Sequence, residues 1–131
     1  MKLPLFPFFK RKRPKEYIVC AAVLEYGRAL SIENLELGTD HHSIMLRIFE
    51  RRRLDMSRLS DEELSGKLDI YGFLTSNPRF VNCLEAATVA REAGQLKVKL
   101  DVLFPEAVDI RAALRKFKEE HPEADILKNL P

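Results

Sequence analysis

The chain has 131 residues, of which 46% are hydrophobic and 32% charged. That length suits one domain on the usual ~100–200 residues, and the composition is globular rather than disordered or fibrous. No apolar run approaches the ~18–20 residues of a membrane span. Two cysteines, Cys20 and Cys83, with no CxxC pair, exclude a disulfide framework and a typical zinc module. The net charge of +2 hides an asymmetry: six of the 22 Lys and Arg lie in residues 1–15, where there is no acid, so the 16 that remain face 20 acidic residues. The body therefore lacks the uniformly basic face of a nucleic-acid-binding domain, and no stable nucleic-acid partner is expected.

Residues 1–16 read as an arm on a single domain spanning 17–131. Leu3, Leu5, Phe6, Phe8 and Phe9, interrupted by Pro4 and Pro7, precede the cluster Lys10-Arg11-Lys12-Arg13 and Pro14. A secretory signal places its charge before a longer apolar stretch, so this order argues against secretion. Apolar residues beside a basic cluster suit an anionic membrane surface or nucleic acid. A flexible or loosely docked arm is the commoner behaviour of such a stretch.

From residue 17, Tyr17 to Leu24 predicts a buried strand, short, apolar and β-branched at Ile18, Val19 and Val23. Gly27 marks a turn, and Arg28 to Leu35 is expected to return as the second strand of a hairpin. Thr39 or Asp40 is a good helix cap; Ile44, Met45, Ile48 and Phe49 then recur at helical spacing, with Arg47, Glu50, Arg51 and Arg53 mostly outside the stripe. In the polar stretch 55–67, Ser60 and Glu63 stand at capping-box spacing, which suggests a short helical turn before Gly66. Leu68 to Thr75 predicts a strand and Ser76-Asn77-Pro78 a tight loop. Asn82, with Glu85 three residues on, predicts the start of a helix from Cys83 to near Gly94. Its stripe is small: Cys83, Ala86, Ala87, Ala90 and Ala93. Leu96, Val98, Leu100 and Val102 alternate with polar residues, the pattern of a half-buried strand. Ala107 to Glu120 predicts an amphipathic helix with Ile110, Leu114 and Phe117 inward, ended by Pro122, and one more turn follows in 123–130. The expected fold is α+β: a small, mostly antiparallel sheet packed with amphipathic helices.

Catalytic motifs are scarce. There is no HExxH, P-loop, GxGxxG or GxSxG, and no cofactor is expected. His41 and His42 are adjacent, diverge by ~100° on a helix and do not form the i, i+4 metal pair. No metal site is expected. Cys83 opens a helix, a position that lowers a thiol pKa, although a small side chain packed in the alanine stripe is the commoner role. The two histidines fall in a first helical turn, where free N–H groups attract anions; an exposed pair without a role is the alternative. Tyr71 to Asn82 is the most distinctive stretch. Its aromatics suit stacking on a base, and Arg79 suits bidentate phosphate binding. The plainer reading puts Phe73 and Phe80 in the core and Arg79 on the surface. The arginines of 47–53 suit phosphate or RNA, although a solvated helix face is the commoner explanation.

One set of residues resembles a known group. Gly72-Phe73, Phe80-Val81-Asn82, Glu85-Ala86, Val89-Ala90, Ala93-Gly94-Gln95 and Leu103-Phe104, after an early histidine at His41 or His42, look like a group of small phage and prophage proteins. The resemblance covers about residues 17–104. That group is similar to the phage Thoeris anti-defence proteins of the first type, which act as sponges: they bind cyclic ADP-ribose-type signals without cleaving them, and some relatives hold cyclic oligonucleotides through oligomer formation. The resemblance implies a non-enzymatic, homo-oligomeric protein in the cytoplasm of the bacterial host. It implies that Phe73 stacks on a base, that Asn82 hydrogen-bonds the ligand and that basic residues meet the phosphates, with Arg91, Lys97 and Lys99 the nearest. Tyr71, where the group often has Gln, Cys83, where it often has Arg, and Pro105 depart from the pattern.

The expected ligand-binding set is thus His41, His42, Phe73, Arg79, Asn82, Arg91, Lys97 and Lys99. Two rivals accompany the sponge: a protein-interaction module without a small-molecule ligand, and a weak nucleotide-processing enzyme with His41 or His42 as base.

Overall fold

A computed structural model describes residues 15–53 and 68–130. Strand β1 (Ile18–Leu24) forms where the β-branched apolar run predicts it, and all seven of its residues are buried. Because successive side chains of a strand point to opposite faces, a strand buried throughout is covered on both. The second strand, β2 (Leu35–Gly38), lies further along than the expected 28–35. Residues 28–30 are exposed and Ile32–Asn34 form a 3-10 turn, so the chain first pairs where Leu35 and Leu37 present apolar side chains. Strands β3 (Ile70–Thr75) and β4 (Phe80–Asn82) complete a fully antiparallel sheet of order β2-β1-β3-β4.

The fourth strand is not the expected one. The alternating stretch 96–102 forms no strand. Gln95 N–H donates to Ala90 O and Leu103 N–H to Cys83 O, so this segment runs back along a helix rather than beside a strand. A helix spends its backbone groups internally and offers no ladder. Leu96, Leu100 and Leu103 turn inward, and Val98 and Val102 are left exposed. The strand role passes to Phe80–Asn82, which closes a hairpin with β3 through Thr75 N–H to Arg79 O. Gly72 makes this pairing possible: a Cβ there would stand 2.2 Å from Val81 O and 2.8 Å from the Phe80 ring.

Among the described residues, three helices pack on the sheet. Helix α1 (His41–Arg53) is started by Asp40, whose Oδ1 accepts from Ser43 N–H at 2.7 Å. Ile44 and Ile48 are buried, Met45 and Phe49 half-buried. Arg52, in the run expected to be solvated, is instead buried, with its guanidinium 2.6 Å from Asp69 and 3.2 Å from Glu25. Helix α2 (Cys83–Glu92) is capped by Asn82, whose side chain accepts from Glu85 N–H, and buries Ala86, Ala87, Val89 and Ala90. Gly94, at φ 75°, turns the chain out of it. Helix α3 (Ile110–Glu120) follows a 3-10 turn at Pro105–Ala107, so it begins three residues later than expected; Ile110, Ala113 and Phe117 are its buried stripe. A last 3-10 turn spans Asp125–Asn129. The open edge of β2 is covered by side chains: Arg47 donates to Leu37 O and Asn129 to Leu35 O. The turn expected within 55–67 and the first 14 residues of the arm lie outside the described residues. Lys15 and Glu16, placed in the arm by the sequence, are tied to the body.

Candidate functional site

The eight candidate residues fall into three places. The first is the inner end of α1. His41, its first residue, turns inward: Nε2 donates to Gly72 O at 2.7 Å, and the ring meets Tyr71 and Phe73 edge-on with centroids 5.5 and 5.1 Å away. A carbonyl accepts only from a protonated nitrogen, so this contact places the imidazole hydrogen on Nε2. His42, one residue on, is exposed, as the ~100° step between helical neighbours requires.

Phe73 does not stand where stacking on a ligand would need it. It is 0% exposed, held on the central strand pair opposite Ala21 and Val81, and no face of its ring meets solvent. The plainer reading, a core phenylalanine, describes its place. Tyr71 on the same strand is half-buried, and its hydroxyl pKa is raised by burial and by the nearby Asp69 carboxylate.

The second place is the β3–β4 hairpin. Arg79 is exposed but engaged: its guanidinium binds both Glu16 oxygens, at 2.7 and 2.9 Å, and Glu85 at 2.7 Å. The hydrogen bond from Arg79, helped by Thr75 and opposed by partial burial, holds the Glu16 carboxyl below its ordinary value. A phosphate would have to displace two carboxylates to reach this arginine. Asn82 is exposed, with its oxygen spent on the α2 cap at 2.8 Å. Cys83 opens the helix, but burial pushes its thiol pKa up rather than down, and Sγ sits 3.9 Å from Tyr71 O. Cys20, deep in β1, is pushed up to about 12 by burial. Neither cysteine is poised as a nucleophile, since the thiolate is the reactive form.

The third place is the far end of α2 and the segment that returns along it. Arg91, Lys97 and Lys99 are exposed there, with no ion-pair partner among the described residues. The segment ends beside Cys83 with Leu103 buried and Phe104 57% exposed. Sequence reasoning did not single out Phe104 as a ligand contact; the signal available was a large aromatic residue immediately before Pro105. Pro105 itself is buried at the start of its 3-10 turn.

Among the described residues, no group of three His, Cys, Asp or Glu side chains converges to hold a metal ion, and no helix is long and apolar enough to cross a membrane. Three shallow clefts formed by described residues, of about 270, 330 and 290 Å³, are lined by none of the eight candidates. The second lies between Tyr17, the Gly94–Gln95 turn and α3, with the Lys116 ammonium 4.4 Å above the Tyr17 ring.

No match was found among curated proteins or among solved structures. A family model described as phage T4 y16D protein matches residues 17–109, a stretch that takes in the whole sheet, α1, α2, the return segment and the turn before α3. On that match over most of its length, the chain belongs to the phage T4 y16D protein family.

Proposed function

We propose that this member of a phage protein family binds and sequesters a phosphorylated nucleotide signal, of cyclic ADP-ribose type or a cyclic oligonucleotide, without cleaving it, inside the bacterial host and as a homo-oligomer. The reading is supported by the outer side of the return segment. Phe104 offers an exposed aromatic face for a base, and Lys97, Lys99 and Arg91 offer unengaged cations for phosphates. Stacking contributes ~1–3 kcal/mol per base, and charge-assisted hydrogen bonds to phosphate are the stronger class of polar contact. The resemblance to the Thoeris anti-defence group supplies the ligand class; the base-stacking role moves from the buried Phe73 to Phe104.

The test is a thermal-shift screen against cyclic ADP-ribose isomers and cyclic di- and trinucleotides, each hit then released by heat and chromatographed. A ligand at about 100 times its Kd stabilises the fold by ~2.7 kcal/mol. The expected result is a shift with the nucleotide recovered intact, weakened roughly tenfold or more by Phe104→Ala. A cleaved product would make the protein an enzyme. No shift with any nucleotide would overturn the sponge and leave the interaction module, to which the exposed Leu84, Val98, Val102 and Phe104 would offer apolar side chains. In that case Val98→Glu should abolish retention of a protein partner.

A further inference from the structure

We propose that the outer face of α3 docks on the cleft between the two 3-10 turns of a second copy of this chain, so that copies associate head to tail. The inference rests on the homo-oligomer in the reading above and not on its ligand. The donor half is basic. Arg111, Arg115 and Lys118 are exposed on α3. At ~100° per residue they fall within an arc of about 60°, opposite the buried stripe, and span about 10.5 Å of the axis. None of the three has an ion-pair partner among the described residues, and Glu119, four positions after Arg115, makes no pair with it. Like charges three and four residues apart repel on a helix, a repulsion that nothing among the described residues relieves. No aromatic side chain is exposed on α3, so the face lacks the stacking platform of a single-strand site. Outside residues 1–15 the chain has 16 basic against 20 acidic residues, a balance that opposes a long polyanion. A short acidic surface is the partner that fits, and two arginines suit carboxylates through their planar fork.

This chain carries such a surface itself. The 3-10 turns Ile32–Asn34 and Asp125–Asn129 are tied together by Asn129, whose side-chain amide donates to Glu33 O at 3.0 Å. Between them lies a cleft of about 290 Å³ lined by Ile32, Glu33, Asp125, Ile126, Lys128 and Asn129. Ile126 is buried and Ile32 half-buried, which gives the cleft an apolar part. Glu33 and Asp125 are exposed and have no ion-pair partner among the described residues, and the same holds for Glu123, two positions before Asp125. Three acids thus stand against the single Lys128, facing the three cations of α3. A long cationic side chain that enters lays its methylenes on the isoleucines and keeps its charge against the carboxylates. Because the basic face and the acidic cleft are different surfaces, the contact is heterologous and repeats from copy to copy.

The experiment is sedimentation velocity of the full chain over a range of concentration and salt, with two charge-reversed variants, Arg111→Glu/Arg115→Glu and Glu33→Lys/Asp125→Lys. All four side chains are exposed, so both variants should keep the thermal midpoint of the parent. The expected result is a parent that associates, and does so less at ~0.5 M salt. Each variant alone should associate at least about tenfold more weakly. An equimolar mixture of the two should regain the association of the parent, because a reversed face then meets a reversed cleft and an unchanged face an unchanged cleft. A parent that stays monomeric up to about 0.1 mM, a variant that associates alone as the parent does, or a mixture that fails to recover overturns the proposal. So does a monomeric parent whose binding to duplex DNA is lost in Arg111→Glu/Arg115→Glu, an outcome that would make α3 a nucleic-acid face. The ligand reading is judged separately: a monomeric parent with a nucleotide-induced thermal shift overturns the interface alone, and an associating parent without one overturns the sponge alone.

Discussion

At Ile18 the sheet is one strand short. β2 pairs with Ala21 to Leu24 only, so the backbone of Ile18, itself fully buried, has no strand on that side. The side-chain amide of Gln95 fills the gap: its oxygen accepts from Ile18 N–H at 2.8 Å and its nitrogen donates to Ile18 O at 2.8 Å. A glutamine thus makes the two bonds that a neighbouring strand residue would make, and Gly94, at positive φ, delivers it there. Leaving a buried backbone group unpaired costs ~1–3 kcal/mol. Gln95→Ala is therefore expected to destabilise the fold by about 3 kcal/mol, whereas Lys97→Ala, exposed two residues on, should stay within ~0.5 kcal/mol. Urea unfolding of both variants measures the difference; a loss for Gln95→Ala as small as that of Lys97→Ala would show that water replaces the amide. The Ala93-Gly94-Gln95 motif, which first suggested a family of ligand binders, here builds the sheet.

Asn82 carries both a structural and a proposed role, and the helix it starts separates them. Its oxygen caps α2, and the Asn82-to-Ala change at a cap costs ~1 kcal/mol. Asn82→Asp keeps an acceptor at the same point and places a negative charge at the positive end of the helix, so the fold should be as stable as the parent or slightly more. What aspartate lacks is the amide donor. If Asn82 also donates to a bound nucleotide, Asn82→Asp should lower affinity roughly tenfold, the value of one hydrogen bond, with no loss of thermal midpoint. Calorimetric titration beside thermal unfolding reads the two quantities separately, and unchanged affinity would confine Asn82 to the cap. The same helix shows why a periodic pattern needs a partner before it names an element. The alternation of Leu96, Val98, Leu100 and Val102 is sound in itself, but the segment lies along α2, and without a strand beside it there is no ladder to form.

Across the whole molecule, contacts far apart in sequence fasten the start of β1 to the β3–β4 hairpin. Arg79 binds Glu16, 63 positions away, while the Glu16 carboxylate also accepts from Thr75. Because Arg79 holds the Glu16 carboxyl below its ordinary value of 4.5, the folded pKa lies under the unfolded one. The stabilisation it brings is fully present above about pH 4.5 and is lost as pH falls through the folded value. Glu16→Gln should accordingly be less stable than the parent at about pH 7, and the gap should narrow as pH falls below about 4.5. Denaturant midpoints against pH test this, and a gap that stays constant down to the acid limit would show that Glu16 acts through packing alone.

Much of the fold was legible from local chemistry. β-branched runs announced β1, the tail of β3 followed its apolar residues, and Asp40, Asn82 and Gly94 marked helix ends through bonds that reach only three or four residues. Helical periodicity likewise found Ile44 and Ile48, and Ile110 and Phe117. The candidate site was less legible, because a side chain's availability depends on what folds over it. Phe73 and Phe104 are the same residue type in comparable motifs, yet the first lies in the core with the His41 ring of α1 against it, and the second stays in solvent just before the 3-10 turn at Pro105. Arg79 and Arg52 likewise read as free surface charges until Glu16, Glu85, Glu25 and Asp69 arrive from elsewhere in the chain to engage them. By itself the sequence determined the α+β class, most element cores and the charge asymmetry, all properties of neighbouring residues. Tertiary structure alone decided which strand closes the sheet and which aromatics and cations remain open to a ligand, because burial and pairing are set by residues tens of positions away.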